Sequence, residues 1–263
     1  MRYALKIYYD GRGFHGSQIQ PDVRTVEGEF FGALKELKIE FDDFRSAGRT
    51  DRGVSAIGNV FAMTTDSKIV EPRILNSKLP HDLRILAVRE VEDNFDPRKE
   101  ALERVYRYFL FDEGYDLRKM KRAIKSFEGE HDFHNFAVLE GRNPVRRLNK
   151  IGLDRDGEIT ILTFFGESFL WQMVRRIVTA LKMVGRGELQ IGEIERYFDP
   201  NFEKKVPPSN PENLVLWEVR YDFEFEEEGY SIEDLISALN EDLKGLKVGV
   251  KMKEEISTRL SEE

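Results

Sequence analysis

The stretch AGRTDRGVSA, Ala47 to Ala56, sets Asp51 between Arg49 and Arg52 and brackets the three charges with Gly48 and Gly53. Glycines let the backbone turn sharply and let a ligand approach closely. The two guanidinium groups favour the ionised form of the carboxylate between them, and an ionised, positioned carboxylate can act as a nucleophile. The same spacing also fits a plain polar turn held by local ion pairs, and both readings stand on the residues alone. Other residue types offer less. There is no cysteine, which excludes disulfides, thiolate metal sites and thiol catalysis. His131 and His134 lie close together in HDFH, but only His15 and His81 remain elsewhere. Metal centres need three or four ligands, so these read as structural histidines and no metal site is expected. GRGFHG, Gly11 to Gly16, matches the glycine pattern of dinucleotide-binding loops. That fingerprint requires a helix to open at the glycines. Pro21 delays any helix to about Thr25, so the stretch reads as a loop after a strand, with no nucleotide cofactor.

Elements that could hold such a turn follow from the hydrophobic periods. YALKIYYD alternates and predicts a strand. TVEGEFFGALKELK carries Val26, Phe30, Ala33, Leu34 and Leu37 at helical spacing, with Thr25 as its N-cap. GNVFAMTTD and DLRILAVREVE are strand-like. The second half repeats the order: ERVYRYFLFD as strand, DLRKMKRAIKSF as helix, and NKIGLDRDGEITILTFFGE as a hairpin turning at DRDG (Asp154 to Gly157). Next come SFLWQMVRRIVTALKMVG as a helix stopping at Gly185 and NLVLWEVRYDF as a closing strand. The chain between Asp199 and Pro211 is loop. The pattern predicts an α+β protein. Residues 1–98 form an N-terminal lobe carrying the Asp51 loop and residues 99–228 a similar C-terminal lobe. Residues 229–263 form an acidic tail with helical pattern.

The 263 residues are 40% hydrophobic and 34% charged, enough for one large core or two small ones. No window approaches the ~18 apolar residues of a membrane span, and MRYALKIYYDGRG lacks the apolar core of a signal peptide. A cytosolic protein is expected; much Lys, Arg and Glu without cysteine also suits a thermophile. The net charge of −8 argues against a polyanionic partner only on average. Residues 222–263 hold 13 acidic and 5 basic side chains, which leaves residues 1–221 neutral. Within them RNPVRRLNK (Arg142 to Lys150) and LRKMKRAIK (Leu117 to Lys125) contain cations and no anion. Local patches of this kind, rather than net charge, govern phosphate binding. Each run alone also fits a solvated surface.

GRTDRGVSA resembles the signature of the TruA-type tRNA pseudouridine synthases in its archaeal and eukaryotic form. The bacterial form usually has Ala at the Arg52 position and His at the Ser55 position. The resemblance continues in order through YDGRGFHGSQIQ, RTVEGEF, FDPRKEALERVYRY, FEGEHDFHNF, FLWQMVRRIV and NLVLWEVRY, some 220 residues in all. One departure is Ser17, where many members carry tryptophan; the tail beyond Gly229 lies outside the resemblance.

What the resemblance implies is an isomerase that breaks the bond from uracil N1 to ribose and remakes it through C5, with no metal or organic cofactor. Asp51 becomes the catalytic carboxylate, attacking C6 of the uracil or C1′ of the ribose, or assisting a glycal. Arg175 pairs with it. Tyr106 stacks on the uracil and is a candidate to take the C5 proton. Leu216 lies beneath the base. Arg49 intrudes into the RNA to hold a flipped-out nucleotide, with Arg52 beside it. Arg24, Lys121, Arg122, Arg142, Arg146 and Arg147 are candidates for tRNA phosphates. The resemblance also implies a homodimer, uridines at tRNA positions 38 to 40 in the anticodon stem-loop, and two similar lobes sharing one mixed, largely antiparallel sheet with the cleft between them. A family member with other RNA targets and a non-catalytic RNA-binding protein are the alternatives. The intact Asp51, Tyr106 and Arg175 set argues against the latter.

Overall fold

The computed structural model describes residues 1–261. In the first half, β1 (Arg2–Tyr9) is followed by α1 (Val26–Glu36), a hairpin of β2 (Asp42–Ser46) and β3 (Ser55–Thr64), the short α2 (Pro72–Asn76) and β4 (Leu83–Val91). In the second half come β5 (Glu103–Phe111), α3 (Leu117–Ile124), β6 (Gly129–Asp132), the hairpin of β7 (Val145–Asp156) and β8 (Ile159–Gly166), α4 (Met173–Arg186) and β9 (Leu214–Arg220). α5 (Gly229–Ser261) ends the described chain. Thr25 caps α1 as its sequence suggests: its hydroxyl accepts the Gly28 N–H, and Val26, Phe30, Ala33 and Leu34 are buried. Phe30 lies against Phe61 of β3 with ring centroids 5.4 Å apart.

The strands form one nine-stranded sheet in the order β4-β1-β3-β9-β5-β8-β7-β6, with β2 also on β3. The order of each half is the same when β4, β1, β3 and β2 are matched to β9, β5, β8 and β7. The pairing is antiparallel everywhere except between β3 and β9. The fold is therefore α+β, built on a mixed and largely antiparallel sheet. The parallel seam is short, with Ser55 opposite Val215 and Ala56 opposite Leu216. It exists because β3 shares one edge between two partners. Its later residues pair with β2, Ser46 facing Phe61, and its first residues pair with β9. Gly58 permits this approach: a Cβ there would stand 2.5 Å from the Trp217 carbonyl oxygen. The chain that leaves β2 at the seam, residues 47–54, is the Asp51 loop.

Three boundaries differ from the sequence expectation. α4 opens at Met173, after a left-handed Gln172 at φ 62°, and leaves SFLWQ outside the helix. α4 does not stop at Gly185, which is buried inside the helix where an added Cβ would touch Met120 and Tyr115 at 3.0–3.1 Å. The helix ends at Gly187, left-handed at φ 77°. That glycine satisfies packing, the later one the chain reversal. The second hairpin turns at Gly157 and Glu158, since Asp156 already pairs with Ile159. Gly157 takes φ 57°, and Asp154 and Arg155 belong to the strand. The sequence pattern also lacks β2, β6 and α2, which are five residues or fewer and too short for periodicity to register.

α5 buries only Ser231 and Leu235. Asn76 donates to the Ser231 hydroxyl at 3.0 Å and Arg84 pairs with Asp234 at 3.0 Å. Further along, Leu243, Leu246, Val250, Met252 and Ile256 are exposed. Among the described residues no helix is long and apolar enough to cross a membrane.

Candidate active site

The Asp51 loop is held at both ends by polar groups that the strands bury. Ala47 N–H donates to Val60 O at 2.8 Å, the last rung of the β2–β3 hairpin. Past it the side chain of Asn59, fully buried in β3, replaces the missing strand: Gly48 N–H donates to its Oδ1 at 3.2 Å and its Nδ2 donates to Gly48 O at 2.9 Å. The Tyr9 hydroxyl shares a 2.8 Å hydrogen bond with Thr50 Oγ1. Ser17 grips the Thr50 backbone twice, accepting its N–H at 2.9 Å and donating its own N–H to Thr50 O at 3.1 Å. Val54 N–H donates to Asp51 O at 3.1 Å, and Gly53 takes φ 85° to close the turn. Buried polar groups with every partner supplied fix a backbone tightly.

GRGFHG proves to be part of this brace. Gly11–Gly13 form a single 3-10 turn with no helix opening at the glycines. Gly11 N–H donates to the Ser55 hydroxyl at 3.0 Å, and a Cβ on Gly11 would lie 2.1 Å from Val54 O. Gly16, at φ 101°, faces Thr50 O. The glycines allow backbone to meet backbone.

Held this way, the Asp51 carboxylate meets two donors from the other half of the chain. Arg175 Nη1 donates to Oδ2 at 2.6 Å, and the indole Nε1 of Trp171 donates to Oδ1 at 2.5 Å. Arg175 stands in the first turn of α4 and is nearly buried; its Nε donates to Ser209 O at 2.7 Å, which fixes the guanidinium plane. The register across the seam brings in the apolar wall. Leu216 of β9 stands between Ala56 and Tyr106, and Tyr106 faces Phe164 of β8. Leu216 is fully buried; a Cβ on Gly48 would come within 3.2 Å of it and within 3.9 Å of the Tyr106 hydroxyl. The Tyr106 ring packs edge-on against Phe169 at 5.0 Å. Burial pushes its phenol up to about 12, against the pull of Arg104 and with a small push from Asp51.

The cations divide into three groups. Arg49 and Arg52 are exposed beside Asp51, and neither forms a salt bridge among the described residues. Arg98 is pushed below its ordinary value by burial and then by Arg142, Arg104 and Arg49. Arg146 is lowered by burial, then by Arg142 and Arg98. Like charges thus gather beside the Asp51 loop; Arg147, exposed on β7, alternates to the other face of the strand from Arg146. Arg24 is otherwise engaged. It forks onto Asp82 at 2.7 and 2.8 Å, reaches Glu29 at 2.6 Å, and covers the Phe14 ring. Lys121 and Arg122 are exposed on α3, whose Met120 packs on Gly185 in the last turns of α4, far along that helix from Arg175.

Several members of the site carry no strong local signal. Arg98, Arg104 and Trp171 give no sign in the sequence of their part here, and Ser17 shows there only as a departure from the family pattern. Arg104 is buried and ties three segments together, donating to Ala47 O at 3.1 Å, to Arg98 O at 2.8 Å and to Glu167 O. Asn59 left one trace, a lone amide inside the apolar run of GNVFAM. His131 sits against Phe198 with ring centroids 4.3 Å apart and bonds Glu128 O at 2.9 Å, a packing role.

Residues 123–222 match the family model of tRNA pseudouridine synthases. The tRNA pseudouridine synthase A of Thermococcus sibiricus is 51% identical over 240 residues, covering 89% of this chain and 90% of the relative. This chain belongs to the tRNA pseudouridine synthase A family. The Pyrococcus furiosus member is 47% identical over 225 residues, 84% of each chain, and that of Methanocella arvoryzae 45% over 237 residues, 88% of this chain and 89% of the relative. Among solved structures, the archaeal box H/ACA sRNP Nop10–Cbf5 complex aligns at 15% identity over 66% of this chain and 45% of that one, with a TM-score of 0.34, too loose a likeness to carry an argument. In this chain the first half supplies a braced carboxylate, the second its cation and apolar wall.

Proposed function

We propose that Asp51 is the nucleophile with which this tRNA pseudouridine synthase isomerises uridine to pseudouridine, acting on uridines 38 to 40 of the anticodon stem-loop. The observation that carries the reading is the Asp51 carboxylate gripped by Arg175 at 2.6 Å beside the Tyr106–Leu216 wall. The carboxylate is held between a guanidinium and an indole N–H, with a donor on each oxygen, in a partly apolar site. It is then available to attack a flipped-out uridine at C6 or C1′, or to assist a glycal. Tyr106, a protonated phenol over the working pH range, serves as a stacking face rather than as a base in the free enzyme. Leu216, beneath Gly48, backs the pocket.

Arg49 and Arg52 project from the loop and suit the displaced strand of a flipped nucleotide. Arg98, Arg142 and Arg146 continue that basic surface and suit tRNA phosphates, and Arg147, on the opposite face of β7 from Arg146, suits an outlying one. Arg24 supports the loop from its ion pairs, and Lys121 and Arg122 suit outlying phosphates. We further propose a cytoplasmic homodimer, in which a tRNA spans both subunits; its support is the likeness to the family.

The test is pseudouridine mapping by chemical modification and primer extension on an unmodified tRNA transcript. Wild-type protein is expected to give a stop on the 3′ side of the anticodon stem, and Asp51→Asn none, with tRNA binding retained. Conversion by Asp51→Asn would remove Asp51 from the chemistry. A stop elsewhere would replace the proposed target positions.

A further inference from the structure

We infer that Trp171 is a positioning residue for the reaction: its indole N–H holds Oδ1 of Asp51, so that Trp171 and Arg175 together fix the carboxylate from both sides. The inference rests on the reading of Asp51 as nucleophile. The observations come from one turn of chain. Trp171 Nε1 lies 2.5 Å from Asp51 Oδ1 while Arg175 Nη1 takes Oδ2 at 2.6 Å. The two donors are four residues apart but not on a continuous helix. Between them Gln172, the N-cap of α4, is left-handed at φ 62° and ψ 6°. A non-glycine residue held there costs free energy and marks a place where the surroundings impose a direction. Here the reversal turns the Trp171 side chain back onto the same carboxylate that Arg175 reaches from the helix.

The surroundings hold that direction. Trp171 O accepts the Val138 N–H at 3.0 Å, an isolated bridge between two loops. Gln172 Oε1 accepts Arg176 Nη2 at 2.8 Å and Gln172 O accepts the Arg176 N–H at 3.0 Å. Trp171 is 42% exposed. An indole placed for core packing would be covered, whereas this one keeps its polar edge on Asp51 and leaves part of its surface exposed. A single ion pair leaves a carboxylate free to rotate about its Cβ–Cγ bond. A second donor on the other oxygen removes that freedom, and a nucleophile held in its attacking geometry needs less reorganisation in the transition state.

The experiment compares wild type, Trp171→Phe and Trp171→His in single-turnover conversion of a tRNA transcript, with binding and thermal unfolding measured alongside. Phenylalanine keeps an aromatic ring and removes the donor. Its rate at saturating tRNA should fall about tenfold or more while the Kd stays within about twofold, as expected for a lost hydrogen bond to a charged group. Histidine, whose ring N–H can donate, should recover part of the rate. An unchanged Trp171→Phe rate would overturn the inference. So would equal losses in binding and rate with a lowered Tm and no recovery by histidine, because that pattern belongs to a structural residue. Asp51→Asn is run in the same series: if it still converts uridine, the nucleophile reading fails first and the role of Trp171 falls with it. If Asp51→Asn is dead and Trp171→Phe is not, only the present inference fails.

Discussion

At Tyr106, burial outweighs the nearby Arg104 cation and holds the phenol at about 12, against an ordinary value of 10.0. The sign follows: folding favours the protonated phenol, so its contribution is complete below pH 10.0 and is lost as pH rises through about 12. No titration of Tyr106 falls between pH 5 and 9. The pH dependence of single-turnover conversion in that range should therefore have the same shape in wild type and Tyr106→Phe, whatever the change in absolute rate. A basic limb present in wild type and absent in the variant would assign a tyrosinate base. Arg175 is the other decisive residue. It serves Asp51 with Nη1 and Ser209 O with Nε, and a lysine ammonium lacks that fork. Arg175→Lys should keep the charge yet slow conversion by about tenfold or more and cost roughly 1–3 kcal/mol of stability, read by denaturant unfolding, since one buried acceptor loses its partner.

Among the elements, the decisive one is a loop that is braced as though it were a strand. Residues 47–54 lie where β9 displaces β2 from the edge of β3, and the hydrogen bonds that hold them come from Asn59, Ser17 and Tyr9 instead. The Gly11–Gly13 turn closes on it from outside. Gly11→Ala would drive a Cβ to 2.1 Å from Val54 O. The turn must shift, so a loss of about 1–3 kcal/mol or more is expected, together with slower conversion, because the same shift moves Ser55 and Asp51. Equilibrium unfolding and single-turnover rates check this. A stable Gly11→Ala protein that is merely unable to bind nucleotide would contradict the bracing role.

At the scale of the molecule the seam between β3 and β9 joins the two halves, and every residue proposed for chemistry lies within reach of it. Asp51, Arg49 and Arg52 come from the first half; Tyr106, Trp171, Arg175 and Leu216 come from the second. The basic surface crosses the same line, from Arg49 to Arg98, Arg142 and Arg146. Clustered cations that burial and mutual repulsion already disfavour gain from a polyanion and little else nearby. Arg142→Glu with Arg146→Glu should weaken tRNA binding and flatten its salt dependence; Tm is measured alongside, because Arg142 is partly buried and pairs with Glu140 at 3.5 Å. An unaltered slope of log Kd against log salt would take this face out of the interface.

The sequence by itself determined the local things. The Asp51 motif, the Thr25 cap, the α4 stripe and the loss of a helix at GRGFHG all depend on neighbours within a few residues, where periodicity and turn chemistry act. The resemblance then supplied roles for Tyr106, Arg175 and Leu216 that spacing alone did not. Only the tertiary structure decided which charges were free and which were spent. Arg24 and Arg142 look alike in the chain, yet Arg24 is held by Asp82 and Glu29 at 2.6–2.7 Å, while Arg142 has a looser pair with Glu140 at 3.5 Å and stands near Arg98 and Arg146. Gly185 reads as a stop and is a packing contact, because Met120 and Tyr115 reach it across the fold. Trp171 reads as one more apolar residue of FLWQM and instead donates to Asp51, 120 positions away. Hydrogen bonds and ion pairs between distant residues leave no period in the sequence, and the geometry of this site is made of them.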